Sequence, residues 1–156
     1  MRGLVLFVAG VLVGLAVQTA VAQREGAVSL NHVGIAVPDI GEAVTYYTGT
    51  LGFREAFRNS AGTSVYLQIS RDTVLELQQA GDQTTPGVTH FGLDVENIRN
   101  AVEIFRQRGA TATDPRGPSA FSGAILANVT DPNGIRIELA ELGPDSLQRK
   151  AMAAWK

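Results

Sequence analysis

The stretch N-H-V-G-I-A-V-P-D-I-G-E-A-V, which begins at Asn31, decides the fold of this 156-residue chain because the chain contains it twice. The second copy, T-H-F-G-L-D-V-E-N-I-R-N-A-V, begins at Thr89, 58 residues further along. The chain has two histidines, and both occupy the second position of the repeat, as His32 and His90. A repeat of this kind indicates two modules of the same architecture.

Acidic side chains repeat in the same way near the end of each module. The sequence V-L-E-L surrounds Glu76, and R-I-E-L surrounds Glu138, at an offset of 62 residues. Each module therefore contributes one histidine and one glutamate. This pairing predicts a symmetric site at the place where the two modules meet.

Each module has the pattern β-α-β-β-β, which predicts an α+β fold with a cupped mixed sheet. Residues 30–37 and 88–95 alternate as half-buried strands do, and an amphipathic helix capped by Asp39 or Asn97 follows each of them. Further strands are predicted at residues 53–57, 64–70, 73–77, 111–113, 124–130 and 134–140.

The alternation also predicts which side chains face the helices. In the first strand these are Asn31, Val33, Ile35 and Val37. His32 then lies on the opposite face of the sheet, and the same reasoning places His90, Glu76 and Glu138 on that face. The four side chains are therefore expected to line the inside of the cup.

The predicted domain covers residues 28–142, with its two modules at 28–80 and 86–142. Residues 143–156 are predicted to form a C-terminal helix, which packs on the domain or makes a dimer contact. The segment 114–123 is rich in Pro, Gly and Ser, and we expect a mobile loop there that closes over a ligand.

The N-terminus predicts export. Arg2 precedes an uncharged apolar run that ends in Ala20-Val21-Ala22, the pattern of a signal peptide at residues 1–22 that is cleaved after Ala22. The mature protein would then be periplasmic or secreted. The alternative is an uncleaved N-terminal membrane anchor, because the uncharged residues 3–23 are long enough to span a bilayer.

The composition of the mature chain excludes several classes of protein. Its 156 − 22 = 134 residues suffice for one domain with a core. Without Arg2, the chain has 12 basic and 15 acidic residues. It has no basic patch of the kind that binds nucleic acid, so a nucleic-acid partner is not expected. The absence of cysteine excludes disulfides and thiolate ligands.

Two neutral imidazoles and two carboxylates form a donor set that suits a divalent metal ion. Four protein ligands leave room for water or substrate, which is typical of a catalytic metal site. The alternative is that both histidines are packed side chains and that Glu76 and Glu138 are solvated residues on a sheet face.

Five motifs of the chain resemble the vicinal oxygen chelate superfamily, which includes glyoxalase I, methylmalonyl-CoA epimerase, extradiol dioxygenases and bleomycin-resistance proteins. They are L-N-H-V-G-I-A-V, Y-Y-T-G-T-L-G-F, L-E-L, T-H-F-G-L-D-V and D-P-N-G-I-R-I-E-L, and the resemblance covers residues 28–142. The resemblance implies a cup-shaped pair of βαβββ modules. It also implies a small-molecule substrate and a homodimer, in which the metal ligands come from one chain or from two.

The resemblance further implies that the metal ligands are His32, Glu76, His90 and Glu138. This set is similar to that of glyoxalase I, a metal-dependent isomerase and lyase that uses nickel, cobalt or zinc. Manganese and iron(II) are the other ions expected of the superfamily. In this scheme Glu138 is the catalytic base for proton transfer, and Glu76 is its catalytic counterpart in the other module.

Two alternatives to a glyoxalase-type enzyme remain open within the resemblance. An extradiol-type dioxygenase needs iron(II) held by two histidines and one glutamate, which His32, His90 and Glu138 provide. Epimerases usually have Gln where Glu76 stands, and bleomycin-binding members lack these ligands. The second alternative is an exported, non-catalytic module that binds a small molecule in the same cup.

The substrate is the least determined part of the sequence-based prediction. Glyoxalase I acts on a glutathione adduct formed in the cytoplasm, whereas this chain carries an export signal, so a different substrate is expected. The candidate substrate-binding residues are Tyr66, Gln68, Arg116 and Arg136.

Overall fold

The computed structural model describes residues 28–156, so the predicted signal peptide and the alternative membrane anchor lie outside the described residues. The strands are β1 (Val28–Val37), β2 (Arg54–Arg58), β3 (Ser64–Gln68), β4 (Val74–Gln79), β5 (Gly87–Val95), β6 (Thr111–Ala112), β7 (Ile125–Thr130) and β8 (Arg136–Glu141). The helices are α1 (Ile40–Gly49), α2 (Ile98–Gln107) and α3 (Leu147–Ala153). Within this part of the chain, no helix has the length and apolar character needed to cross a membrane.

The eight strands form one mixed sheet in the order β2-β3-β4-β1-β5-β8-β7-β6. In each half, the first and last strands of the module pair in parallel, β1 with β4 and β5 with β8. The halves join through an antiparallel seam between β1 and β5. The symmetric strand order matches the internal repeat, and the α+β prediction with a mixed sheet is confirmed.

Both module helices begin at the N-capping residues that the sequence predicts. The Asp39 side chain accepts a hydrogen bond from the backbone N–H of Glu42, and Asn97 accepts one from the N–H of Asn100. These bonds satisfy backbone donors that have no partner inside the helix. The caps fix the point at which the backbone of each module leaves its first strand and enters its helix.

Each module buries its own hydrophobic core between its helix and one face of its strands. In the first module α1 packs over Val37, Val65, Leu67, Leu75 and Leu77. In the second, α2 contributes to a cluster of Val95, Ile98, Ala101, Val102, Ala127, Val129 and Leu139. Each fully buried Val, Leu or Ile side chain in these clusters contributes about 1.5–3 kcal/mol. Because apolar side chains take the helix face, the opposite face of the central strands is left for polar groups.

One part of the predicted alternation is wrong. Asn31 does not share the helix-packed face, because the register between β1 and β5 shifts between Leu30 and His32. The Asn31 side chain instead lies at the Nδ1 atom of His32. A β-bulge adds one residue to a strand and breaks the period of two on which the prediction rested.

The segment 114–123 lies along the edge of β7. Arg116 and Leu126 exchange two backbone hydrogen bonds, and the N–H of Ser119 donates to the carbonyl of Ala124. Phe121 extends from this segment to the rings of Phe57 and Tyr66. The segment therefore brings an aromatic side chain from the second module to the first.

The C-terminal helix α3 is shorter than the predicted 143–156 and is capped by Ser146. Arg54 of β2 donates to the carbonyl oxygens of Ala151 and Ala154 and lies over the ring of Trp155. These contacts attach the C-terminus to the outer strand of the first module.

Candidate metal centre

The four central strands of the sheet each place one polar side chain at the seam between the modules. The Nε2 atoms of His32 (β1) and His90 (β5) are 3.0 Å apart. Glu76 (β4) places Oε2 3.3 Å from Nε2 of His90 and 3.7 Å from Nε2 of His32. Glu138 (β8) places Oε1 3.6 Å from Nε2 of His32. The structure thus brings together all four residues singled out by the repeat, and it does so within one chain.

Two glycines make this close approach of the histidines feasible. In the antiparallel register His32 lies opposite Gly92, and Gly34 lies opposite His90. A Cβ atom at either glycine would come within 3.0 Å of three atoms of the opposing imidazole ring. Each ring therefore occupies the volume that a side chain of the other module would need.

Besides the contact between their Nε2 atoms, each imidazole has a hydrogen-bond partner at Nδ1. His32 Nδ1 is 2.8 Å from Asn31 Oδ1, and His90 Nδ1 is 2.9 Å from Thr89 Oγ1. Burial lowers the pKa of His32 to about 4, the charge of Glu76 only partly opposing it. His32 is therefore neutral near pH 7, which is the form that binds metal ions.

The two carboxylates have different surroundings. Glu76 accepts hydrogen bonds from Gln78 at 2.8 Å and from Ser64 at 3.4 Å. Burial pushes the pKa of Glu76 upward, but the neighbouring His90, His32 and Gln78 side chains outweigh burial, so this pKa lies below its ordinary value.

Glu138 accepts a hydrogen bond from Arg136 Nη1 at 3.2 Å. Burial and the negative charge of Glu76 raise the pKa of Glu138 above its ordinary value, although Arg136 and Arg116 oppose them. The two glutamates of the repeat are thus chemically distinct, and Glu138 is the one that holds a proton more readily.

The residues fit a divalent metal ion. Two ligand atoms that each lie about 2.1 Å from one ion, at a right angle, are about 3.0 Å apart. This is the separation of the two Nε2 atoms. One donor atom each from His32, His90 and Glu138 lies within 4.8 Å of the others. Two buried carboxylates at the seam also leave negative charge that a cation would compensate. The imidazole and carboxylate donors suit nickel, cobalt, zinc, manganese or iron(II).

The predicted substrate-binding residues lie in different places. The Tyr66 ring is 6.2 Å from the His32 ring and stacks on Phe57. Arg136 pairs with Glu138 at the site, and Arg116 is exposed on the segment 114–123. Both amide atoms of Gln68 are engaged by groups away from the metal centre: Oε1 accepts from the Arg54 guanidinium, and Nε2 donates to the carbonyl of Arg71.

Sequence reasoning missed the residues that support the four central ones. These are Asn31, Thr89, Ser64, Gln78 and the aromatic pair Phe57 and Phe121. For Asn31 and Thr89 a signal existed, because each directly precedes the histidine of its module and each has a polar side chain. For the others, proximity to the site comes from strand pairing and has no counterpart in local sequence.

Residues 29–139 match the family model of the Glyoxalase/Bleomycin resistance protein/Dioxygenase superfamily, and the chain belongs to this family. It is 29% identical over 124 residues to lactoylglutathione lyase of Salmonella typhimurium, covering 72% of this chain and 91% of that protein. Lactoylglutathione lyase GLX1 of Arabidopsis thaliana is 26% identical over 124 residues, 72% of this chain and 44% of the relative.

Solved structures show the same fold. Methylmalonyl-CoA epimerase from Mycobacterium tuberculosis superposes with a TM-score of 0.61 at 22% identity, covering 74% of this chain and 88% of that one. The family and the fold that the resemblance implied are therefore confirmed, and the fold is glyoxalase-like.

Proposed function

We propose that this protein is a metal-dependent lyase or isomerase of glyoxalase type, which transfers a proton on a small oxygenated substrate. The observation that carries the proposal is that His32, Glu76, His90 and Glu138 lie together at the seam between the modules. The relatives named lactoylglutathione lyase support this class of reaction.

His32, His90, Glu76 and Glu138 would hold the metal. The bound ion would polarise a substrate carbonyl and stabilise negative charge on its oxygen. Glu138 takes the part of the catalytic base, because its raised pKa lies nearer to neutrality than that of Glu76 and because a base works best near the operating pH.

The neighbouring side chains define what each carboxylate can do. Arg136 holds Oε2 of Glu138 and leaves Oε1 directed towards His32. Ser64 and Gln78 fix Oε1 of Glu76. Glu76 is thus held by neutral donors in one orientation, whereas Oε1 of Glu138 accepts no hydrogen bond from the described residues, so it could either hold the metal or exchange a proton with the substrate.

The surroundings of the site favour a substrate with both an apolar and an anionic part. Phe57, Tyr66 and Phe121 form an aromatic cluster beside His32. Arg136 is partly exposed next to Glu138 and can attract a negative group. We propose that the substrate differs from the glutathione adduct named for the relatives, since the N-terminal sequence predicts export.

The first test is elemental analysis of protein purified without a histidine tag. We expect about one divalent ion per chain, either as purified or after addition of nickel, cobalt, zinc, manganese or iron(II). Less than about a tenth of an equivalent under all these conditions would reject metal dependence.

The loaded protein is then assayed with hemithioacetals of methylglyoxal made with glutathione and with smaller thiols. Turnover of any of them that a chelator abolishes supports the glyoxalase type.

The dioxygenase alternative has one observation in its favour, the compact group of His32, His90 and Glu138. The position of Glu76 beside both imidazoles weighs against it, because that enzyme class uses a single carboxylate. The iron(II)-loaded protein would consume oxygen with catechols if it were a dioxygenase.

For a non-catalytic binding module, replacing both histidines by alanine would leave ligand affinity unchanged.

We also propose that the protein is exported and acts as a homodimer. Mass spectrometry of the protein recovered from cell fractions tests cleavage after Ala22 and the compartment. Light scattering of the purified protein tests the dimer. A full-length mass in the cytoplasm, or the mass of one chain in solution, would overturn the respective proposal.

A further inference from the structure

A β-bulge precedes each histidine of the candidate metal centre. The register between β1 and β5 shifts twice, and the residues left outside it are Asn31 in β1 and Thr89 in β5. A bulge bends its strand and redirects the neighbouring side chains. Asn31 and Thr89 thus hold equivalent positions in the two modules, each directly before a histidine.

Both bulge residues contact their own histidine at Nδ1. The Asn31 amide oxygen lies 2.8 Å from His32 Nδ1, and a carbonyl oxygen can only accept, so the proton is on Nδ1. Thr89 Oγ1 donates to the carbonyl of Gly34 at 3.2 Å. Its oxygen is then left to accept from His90 Nδ1 at 2.9 Å.

We propose that Asn31 and Thr89 are positioning residues that fix the tautomer of both histidines, an inference that rests on the metal-dependent function proposed above. With the protons on Nδ1, both Nε2 atoms carry lone pairs and face each other across 3.0 Å. Two lone pairs at this distance repel each other and are complementary to a cation. The supporting bonds of metal-binding histidines serve this purpose generally.

The tautomer of His32 depends on the orientation of the Asn31 amide. Its Nδ2 atom is buried and has no hydrogen-bond partner among the described residues, which is destabilising. The opposite orientation would direct an N–H group at His32 and move the imidazole proton to Nε2, where it would block the metal. The two orientations of the amide thus predict opposite tautomers of His32, and the spectra described below distinguish them.

The first experiment reads the tautomers directly in the metal-free protein. His32 and His90 are the only histidines of the chain, so nitrogen–proton correlation spectra of the untagged protein at mildly alkaline pH contain two imidazoles. We expect both to carry the proton on Nδ1. A proton on Nε2 of either ring would overturn the proposal, whatever metal the protein binds.

The second experiment compares cobalt(II) affinities of matched variants. Asn31→Leu and Thr89→Val remove the acceptor with little change of shape, whereas Asn31→Asp and Thr89→Ser keep an oxygen there. We expect the first pair to bind cobalt about 10–100-fold more weakly and the second pair to stay close to wild type. Equal affinities within each pair would contradict the proposal.

The two experiments separate this inference from the function on which it rests. A wild-type protein that binds no cobalt or other divalent ion rejects the proposed function, while the spectra still decide the tautomers. If Asn31→Leu does not fold, as judged by circular dichroism, the Thr89 pair and the wild-type spectra still give a decisive answer.

Discussion

The substitution Gly92→Ala tests the central feature of the site, the stacking of each histidine over a glycine of the other module. A Cβ atom at Gly92 would lie within 3.0 Å of three atoms of the His32 ring, closer than such contacts occur. The ring would have to withdraw by about 1 Å or more, because the surrounding interior is close-packed. Metal–ligand distances tolerate only about 0.2 Å of deviation. His32 would therefore leave the ligand set.

We expect Gly92→Ala to weaken cobalt(II) binding by about 100-fold or more, which is the upper end of the effect of losing a single supporting bond. Overpacking should also destabilise the metal-free protein by about 1–3 kcal/mol. Calorimetric titration with cobalt measures the first quantity, and urea unfolding of the metal-free protein measures the second. By the symmetry of the register, Gly34→Ala should act in the same way through His90.

Gly49→Ala is the matched control. Gly49 is the last residue of α1, and a Cβ atom there meets nothing within 4 Å. This change should leave cobalt affinity at the wild-type value and alter stability by about 1 kcal/mol or less. If Gly92→Ala bound cobalt with wild-type affinity, the reasoning would be refuted. That result would mean that the His32 imidazole does not occupy the space above Gly92.

Three further predictions follow from the same site. Glu138→Gln should keep close to one metal per chain but lower kcat by about 100-fold to 10,000-fold, because an amide cannot accept the proton; an unchanged kcat would exclude Glu138 as the base. Saturating metal, at about 100 times its Kd, should stabilise the protein by about 2.7 kcal/mol, and a chelator should reverse the rise in Tm. In the metal-free protein His32 should stay neutral down to about pH 4, as an NMR titration can show. The histidine takes up its proton near pH 6.5 in the unfolded chain but near pH 4 in the folded protein, so the free energy of unfolding should fall by about 3 kcal/mol between these pH values. The lowered pKa of Glu76 adds to this loss at acidic pH, and the raised pKa of Glu138 opposes it.

Local sequence patterns were sufficient to predict the elements of each module. Alternating apolar residues gave the strands, and the side chains of Asp39 and Asn97 gave the helix starts, because both signals depend on residues only a few positions apart. Predicted strand ends differed from the observed ones by a few residues, as with 73–77 against Val74–Gln79. The faces of His32, Glu76, His90 and Glu138 followed from the same period of two.

By itself, the sequence determined that two similar modules each contribute a histidine and a glutamate to one face of a sheet, since repeat and alternation are written in the order of residues. Only the tertiary structure decided the register of the β1–β5 seam, which sets His32 above Gly92 and His90 above Gly34. It also decided the two bulges, which turn Asn31 and Thr89 to the imidazoles. The physical reason is that strand register is a contact between residues about 60 positions apart, chosen by the packing of both modules together.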